Sequence, residues 1–244
     1  MFSARIVCIA SLCLAAPGAH ALGAGDIAFT AFNADEDGWA IVVLTDLAAG
    51  STVYFSDSNW NGSGFGSAEG MHTWTTGASI IAAGTVIRFS DIDQSARSVS
   101  IGSLSTSGNA GLSSSGDTLF AYVGSSVSAP QTFLAAVSSE SASAAATALA
   151  NAGLSSGVNA LILPASTDYA YYVGPRSGQA SMAGYRSALN DAANWSAAID
   201  GNHADAIPDP TAFSVVSTVP EASSAWMLLA GLSVLGLRRR VLPV

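Results

Sequence analysis

From residue 26 onward, apolar and polar residues alternate along the chain with a period of two. In the first such segment, residues 26–32, Ile27 and Phe29 fall on one face of an extended chain and Thr30 and Phe32 fall on the other. This alternation predicts a β-strand. Eight later segments are rich in β-branched and aromatic residues, are bounded by turn-forming residues and are also predicted as strands: 39–46, 51–57, 84–91, 116–124, 131–137, 159–163, 168–174 and 211–216.

Two segments depart from the period of two and predict helices. Residues 141–153 are rich in alanine and end at Gly153, and residues 182–195 form a second candidate. The Ser/Gly-rich run at 102–116 is predicted to be a loop. Many short strands separated by turn signals indicate an all-β fold, an antiparallel immunoglobulin-like β-sandwich with one or two short helices, with a barrel as the less favoured alternative.

The N-terminus has the pattern of a secretory signal peptide, which we assign to residues 1–21. Arg5 provides the positive charge, Ile6 to Ala16 the apolar stretch, and Ala19-His20-Ala21 the small-residue cleavage site. An N-terminal membrane helix is the alternative, but the apolar run is shorter than the ~20 residues that a span requires. The extracellular domain is therefore predicted to cover residues 22–217.

The amino-acid composition of this domain argues against several kinds of site and partner, namely disulfides, cysteine-based metal sites and nucleic acids. The two cysteines, Cys8 and Cys13, lie within the predicted signal peptide, so no disulfide or cysteine-based metal site is expected after its removal. The chain has no lysine, and residues 22–219 hold sixteen acidic residues and four arginines, a balance of −12. Such a domain repels phosphate backbones, and nucleic-acid binding is not expected.

Two loops place oxygen-bearing side chains at alternate positions before a glycine, as calcium loops do. The twelfth position of each loop holds Leu44 or Ala68 instead of an acidic residue, so neither is an EF-hand. The simpler interpretation is that these residues form hairpin turns. Calcium bound between loops of a sandwich remains a hypothesis, and no other cofactor is expected. The candidate ligands are Asn33, Asp35 and Asp37 in the first loop and Asp57, Asn59 and Asn61 in the second.

No constellation of catalytic residues is evident in the sequence, and the protein is predicted not to be an enzyme. His72 is predicted to lie partly buried on a strand, and His203 in an exposed connector that is rich in Asp and Pro. A hydrolase whose carboxylates converge from scattered positions remains an alternative, because such pairs meet in space and not in sequence.

Tryptophans on an extracellular protein also suggest sugar binding, because a flat ring can stack on a sugar. The commoner role of a strand tryptophan is core packing. Trp60 lies in a loop rich in Gly and Asn, so it is the tryptophan most expected to be exposed. It is the candidate glycan-binding residue, with an exopolysaccharide as the candidate partner.

The C-terminal segment, residues 218–244, contains an apolar run that ends in arginines. Residues 222–237 are almost wholly apolar, and sixteen residues of helix span about 24 Å, against about 30 Å for the hydrocarbon core. This predicts a short transmembrane helix. The arginines that follow are expected on the cytoplasmic side, which leaves the domain outside.

The order of features in this segment resembles the PEP-CTERM sorting signal. The residues that carry the resemblance are Val219, Pro220, Glu221, Arg238, Arg239 and Arg240, with the short apolar span between them. The resemblance implies recognition by exosortase, a membrane-embedded cysteine protease of Gram-negative bacteria that produce exopolysaccharide. It also implies an inner-membrane intermediate, cleavage near Pro-Glu, and delivery to the outer surface or extracellular matrix. Ala222 replaces the usual second proline.

The domain itself resembles bacterial surface domains related to the lamin tail. The resemblance rests on residues 25–60, 73–74 and 82–89. It implies an immunoglobulin-like β-sandwich and no catalytic residues. The favoured function is therefore a secreted, non-enzymatic surface or matrix protein, with a polysaccharide- or calcium-binding module and a hydrolase as alternatives.

Overall fold

A computed structural model describes residues 21–66 and 69–216 of the chain. The predicted sorting segment at 218–244, with its hydrophobic helix, lies outside these residues, as does the predicted signal peptide except for Ala21. Among the helices in the described part of the chain, none is long and apolar enough to cross a bilayer.

Two six-stranded sheets form the domain. The first sheet has the order β12 (Trp195–Ala198), β11 (Tyr169–Tyr172), β1 (Ile27–Asn33), β2 (Gly38–Val43), β5 (Val86–Ser90) and β6 (Ser98–Val99). The second has the order β10 (Ala160–Ile162), β9 (Ala129–Ser138), β8 (Thr118–Ser126), β3 (Thr52–Ser56), β4 (Met71–Thr75) and β7 (Ser103–Ser107). Among these strands, β10 pairs in parallel with β9 and the other neighbours pair antiparallel. The prediction of an all-β sandwich is confirmed.

Aromatic side chains from both sheets meet in the core. The Trp39 ring of β2 lies 5.2 Å from the Phe55 ring of β3 and 5.0 Å from the Phe89 ring of β5. Phe89 also contacts Trp74 of β4 at 5.6 Å. All four side chains are at most 1% exposed. Alternation along the strands turns one side chain in two inward, and these rings fill the space between the sheets.

The helix predicted at 141–153 is confirmed as α1 (Ala142–Asn151). The Ser141 hydroxyl caps its first turn by accepting from the Ala144 N–H at 3.4 Å. The chain leaves the helix through Gly153, whose φ of 68° lies in the left-handed region that glycine adopts readily. The apolar face of α1 is buried through Ala145 and Leu149.

The helix predicted at 182–195 forms only in part. The structure has a 3-10 turn at Met182–Tyr185, the short helix α2 (Arg186–Leu189) and a second 3-10 turn at Ala192–Asn194. Trp195 already belongs to β12, where it pairs with Tyr172. Pairing with a neighbouring strand therefore overrides the helical tendency of this segment.

Two other predictions were wrong. The run at 102–116, predicted as a loop, contains β7, which pairs with β4 over its whole length. The segment 211–216, predicted as a strand, forms a single bridge between Val215 and Gln179. Phe213 in that segment is buried (3% exposed), and its N–H donates to the Gly84 carbonyl at 2.8 Å. Residues 211–216, which we call the strap, therefore contact the domain through a few hydrogen bonds and the Phe213 side chain.

The two ends of the sandwich differ in what they hold. At one end β1 begins and β2 finishes, and here the N–H of Leu44 donates to the Asp26 carbonyl. The strap fastens at this same end through Phe213 and Gly84, so the described chain both enters and leaves here. We call it the exit end. At the opposite end lie the turn between β1 and β2 and the ends of β3, β5, β9 and β12.

Candidate functional site

Most of the acidic residues collect at the end opposite the exit end, which we call the acidic end. Each one precedes or follows a strand there, because strands that pair antiparallel bring alternate starts and finishes to the same edge. Of the seventeen Asp and Glu in the sequence, eleven occupy this end. They are Asp35, Glu36, Asp37, Asp57, Glu69, Asp91, Asp93, Asp117, Glu140, Asp168 and Asp200.

The loop before β8 joins the two sheets at the acidic end. The N–H of Leu112 donates to Asp37 Oδ1 of the first sheet at 2.6 Å. The N–H of Ser113 donates to Asp117 Oδ2, at the start of β8, at 3.1 Å. The first candidate calcium loop, 33–38, contains Asp37, and the second, 57–62, follows β3, which pairs with β8, so both loops lie at the same end of the molecule.

In the first loop the predicted ligands already accept hydrogen bonds from the protein. Asn33 Oδ1 accepts from the N–H groups of Asp35 and Glu36 at 3.1 and 3.2 Å, which makes an Asx turn. Asp35 Oδ2 accepts from the N–H of His203 at 2.7 Å. Asp37 has a φ of 54° in the left-handed region, where aspartate is among the more tolerant residues. Its Oδ1 accepts from Leu112 as described above.

In the second loop the three candidate calcium ligands have different surroundings. Asn61 Oδ1 accepts from the N–H groups of Ser63 and Gly64 at 2.9 and 3.0 Å and so forms a second Asx turn. Asn59 is exposed, and its N–H donates to Glu69 Oε2 at 3.2 Å. Asp57 differs from both because it is buried.

Asp57, Ser58 and His72 form a buried polar group beneath the acidic end. They are 3%, 0% and 0% exposed, and Asp57 Oδ1, Ser58 Oγ and His72 Nε2 have no hydrogen-bond partner. A Cβ placed on Gly70 would lie 2.8 Å from His72 Nε2 and 3.1 Å from Asp57 Oδ1. Both atoms therefore face the space that glycine leaves open at position 70.

Burial changes the ionisation of this group. Burial, with the nearby charges of Asp117 and Glu69, raises the pKa of Asp57 to about 8. Burial lowers the pKa of His72 to about 3, and the charge of Arg97 acts in the same direction. Asp57 is therefore protonated and His72 neutral near pH 7. His72 Nδ1 lies 3.1 Å from Thr106 Oγ1. With no exposed surface, His72 is more deeply buried than the sequence predicted.

Two further carboxyls of the acidic end titrate above their ordinary range. Burial raises the pKa of Asp117 to about 7, and the charges of Glu69 and Glu140 add to the effect. Burial raises the pKa of Asp37 to about 6, and the neighbouring Asp93 and Asp35 add to it. Glu36 forms an ion pair with Arg88, yet burial outweighs that charge and raises the pKa of Glu36.

In the described residues, no three His, Cys, Asp or Glu side chains form a group that could hold a metal ion. The candidate calcium ligands share one end of the sandwich. Four of them, Asn33, Asp35, Asp37 and Asn61, already accept hydrogen bonds from backbone N–H groups, and Asp57 is buried. Calcium binding by Asn33, Asp35, Asp37, Asp57, Asn59 and Asn61 remains a prediction.

Trp60, the candidate glycan-binding residue, is half-buried beside α1. Its ring contacts Phe65 and Phe133 at 5.0 and 5.2 Å, and its Nε1–H donates to the Asn151 carbonyl at 3.0 Å. The side chain therefore fastens the loop to the helix. A shallow groove of about 330 Å³ runs beside it, lined by Asn59, Trp60, Asn61, Ala144, Thr147, Ala148 and Asn151.

His203 is held against the first sheet. Its ring stacks on Tyr169 with a centroid distance of 5.3 Å, and its Nε2 lies 3.2 Å from the Asp200 carbonyl oxygen. Its own carbonyl accepts from Asn33 Nδ2 at 2.9 Å. His203 thus joins the connector that follows β12 to the turn after β1, a contact across 170 residues that no local sequence pattern indicates.

Comparison with known proteins identifies one segment of this chain. Residues 218–240 match the PEP-CTERM protein-sorting motif. No curated protein and no solved structure matches the chain. The resemblance of residues 25–60 to lamin-tail-related domains remains a prediction. By the match at its C-terminus, the chain is a protein with a PEP-CTERM sorting motif, exported and held transiently in the membrane before exosortase processes it for the cell surface or matrix.

Proposed function

We propose that this protein is a non-catalytic component of the cell surface or extracellular matrix, delivered there by exosortase. The sorting motif at 218–240 supports the delivery. The observation that supports a non-catalytic role is the position of the two histidines in the described residues. His72 has no exposed surface, and the half-exposed ring of His203 is stacked on Tyr169 with its Nε2 beside the Asp200 carbonyl, an arrangement that favours a structural role for both over a role as a general base.

The acidic residues support the same proposal. Asp35, Asp37 and Asp117 accept hydrogen bonds from backbone N–H groups of the domain itself, and Asp57 is enclosed. A pair of carboxylates that cleaves glycosides must reach opposite sides of one bound sugar. Carboxylates that stabilise turns serve the fold instead, which favours a structural or interaction role.

Replacement of the Pro-Glu pair tests the delivery. We expect the double variant Pro220→Ala, Glu221→Ala to remain in the inner-membrane fraction, because the residues at the front of the sorting motif are the ones exosortase is expected to recognise. The wild type is expected in the outer-surface or released fraction of the same cells, with its apolar C-terminal segment removed. Fractionation with mass spectrometry of the intact protein measures both outcomes.

Ala222→Pro is the matched control for this test, because it restores the second proline and leaves Pro-Glu unchanged. It is expected to be processed at least as completely as the wild type. Deletion of exosortase should give the wild type the same membrane retention as the double variant. Normal release of the double variant, or release that is independent of exosortase, would contradict the proposal.

A polysaccharide-binding role is the second candidate, favoured by the groove beside Trp60. The groove combines an aromatic ring with the amides of Asn59 and Asn61 and the hydroxyl of Thr147. Aromatic faces and side chains that donate and accept hydrogen bonds are groups that can bind sugars. The groove is lined from both the loop 57–62 and α1, so the Trp60–Asn151 bond sets its shape.

A bulky charged residue in the groove should remove this binding without disturbing Trp60. We expect Thr147→Arg to weaken retention on purified exopolysaccharide at least tenfold, because Thr147 is an exposed position of α1 that lines the groove. Ala146→Arg places the same charge one residue earlier, outside the groove lining, and should bind as the wild type does. Equal retention of the two variants, or none by the wild type, would exclude this groove as the site.

A further inference from the structure

The described chain leaves the domain close to its sorting motif. The N–H of Ser214 donates to the Arg176 carbonyl at 2.8 Å, and the N–H of Val216 donates to the Gln179 carbonyl at 2.9 Å. Val216 is therefore still attached to the domain. Between it and the apolar run that starts at Ala222 lie residues 217–221, which can span at most about 20 Å when fully extended.

This distance is short relative to the domain. The seven residues of β1 alone cover about 23 Å at ~3.3 Å per residue, and the turns at both ends add to that length. While the apolar segment is in the membrane, the exit end is tied close to the lipid surface. The acidic end lies a full strand length further away.

The distribution of acidic residues between the two ends of the domain favours the same orientation. The exit end holds four acidic residues. Asp26 and Asp209 pair with Arg186 and Arg176 at 2.9 and 3.1 Å, and Asp46 and Asp191, which lie just after β2 and just before β12, are exposed. Eleven acidic residues lie at the opposite end, as described above, and they remain in excess even with Asp57 protonated. An anionic lipid surface repels an acidic surface within a Debye length, about 8 Å at physiological salt. Electrostatic repulsion and the short connection formed by residues 217–221 therefore both favour an orientation with the exit end toward the membrane.

Exposed apolar side chains are also found at the exit end. Val173 follows β11 and is 56% exposed, and Val215 and Val216 in the strap are 41% and 47% exposed. Ile80, which precedes the bridge between Leu47 and Ile81 near the finish of β2, is 60% exposed. Exposed apolar side chains such as these leave water when they reach the headgroup region, which favours contact with the lipid surface.

We propose that the exit end is a lipid-facing surface, which docks on the phospholipid headgroups during the membrane-held stage and turns the acidic end outward. The inference rests on the exosortase route described above. Its consequence is that the acidic end and the nearby turns are already presented away from the membrane before cleavage. After cleavage near Pro-Glu, only a few residues beyond Val216 remain on the exit end.

A pair of single-cysteine variants tests this orientation. The chain has no cysteine after Cys13, so a label at an introduced cysteine is unique in the exported protein. Val173 and Ile199 form a matched pair, because they follow the neighbouring antiparallel strands β11 and β12 and are 56% and 62% exposed. Val173→Cys labels the exit end and Ile199→Cys labels the opposite end.

The exported protein with its C-terminal segment intact is reconstituted in phosphatidylethanolamine–phosphatidylglycerol vesicles that carry a headgroup quencher. We expect quenching of the label at position 173 to be at least threefold stronger than at position 199. Equal quenching, or stronger quenching at 199, overturns the proposed orientation. Failure of the protein to float with vesicles overturns the membrane-held stage itself, so the two failures are distinguishable.

Discussion

At pH 8 the Asp57→Asn variant is expected to be more stable than the wild type, whereas at pH 4 the two are expected to be similar. Asp57 is 3% exposed, and its pKa rises from 3.8 in the unfolded chain to about 8 in the folded domain. A carboxyl with a raised pKa binds its proton more tightly when folded. The stability that it contributes is therefore present below pH 4 and lost as the pH rises toward 8.

Each unit of pKa corresponds to about 1.4 kcal/mol, so the loss for wild type between pH 4 and pH 8 is on the order of 5 kcal/mol. Asparagine has nearly the same shape and no proton to lose. Urea unfolding at pH 4, 6 and 8, followed by tryptophan fluorescence, gives the free energy of unfolding of both proteins.

Asp205→Asn is the control for net charge, because Asp205 is exposed. It should change the free energy of unfolding by less than about 0.5 kcal/mol at any of these pH values. Asp117 and Asp37 act in the same direction as Asp57, so a smaller fall in stability with pH should persist in Asp57→Asn. A wild-type stability that is flat from pH 4 to pH 8 would show that Asp57 is better solvated than the structure indicates.

The strands that the sequence predicted are those with enough apolar, β-branched and aromatic residues to be identified within the segment itself. β1, β2, β3 and β5 each carry enough apolar residues to define a face. β7, with the sequence Ser-Leu-Ser-Thr-Ser, has one apolar residue and forms because β4 offers it a partner. Such a strand depends on a contact more than twenty-five residues away, which a local pattern does not contain.

Only parts of the acidic end could be predicted from the sequence, because it too depends on contacts between residues that are far apart in the chain. The sequence indicated that residues 33–38 and 57–62 are turns rich in oxygen ligands. That these turns share one end with Asp117 and Glu69 follows from the strand order, in which β3 lies between β4 and β8. The raised pKa of Asp57 results from that arrangement, because it buries the carboxyl and also brings the charges of Asp117 and Glu69 near it.

Trp39→Ala is expected to be among the most destabilising single substitutions in the domain. The Trp39 side chain is 1% exposed and its ring contacts Phe55, Phe89 and His72 at 5.0 to 5.2 Å. Truncating a buried tryptophan to alanine costs about 3–5 kcal/mol. Since a domain has only about 5–15 kcal/mol of stability in total, thermal melting followed by circular dichroism should show a Tm lower by about 10 °C or more.

Trp39→Phe and Trp60→Ala separate the reasons for that loss. Phenylalanine keeps an aromatic ring between the sheets and removes the indole Nε1–H, which has no hydrogen-bond partner, so its Tm should lie between those of wild type and Trp39→Ala. Trp60 is half-buried at the edge, so Trp60→Ala loses ring contacts and the bond to Asn151 but leaves the space between the sheets filled. The stability of a sandwich depends on the rings packed between its two sheets, so Trp39→Ala should lower the Tm more than Trp60→Ala does. A larger fall in Tm for Trp60→Ala would contradict this expectation and would show that the main core lies beside α1.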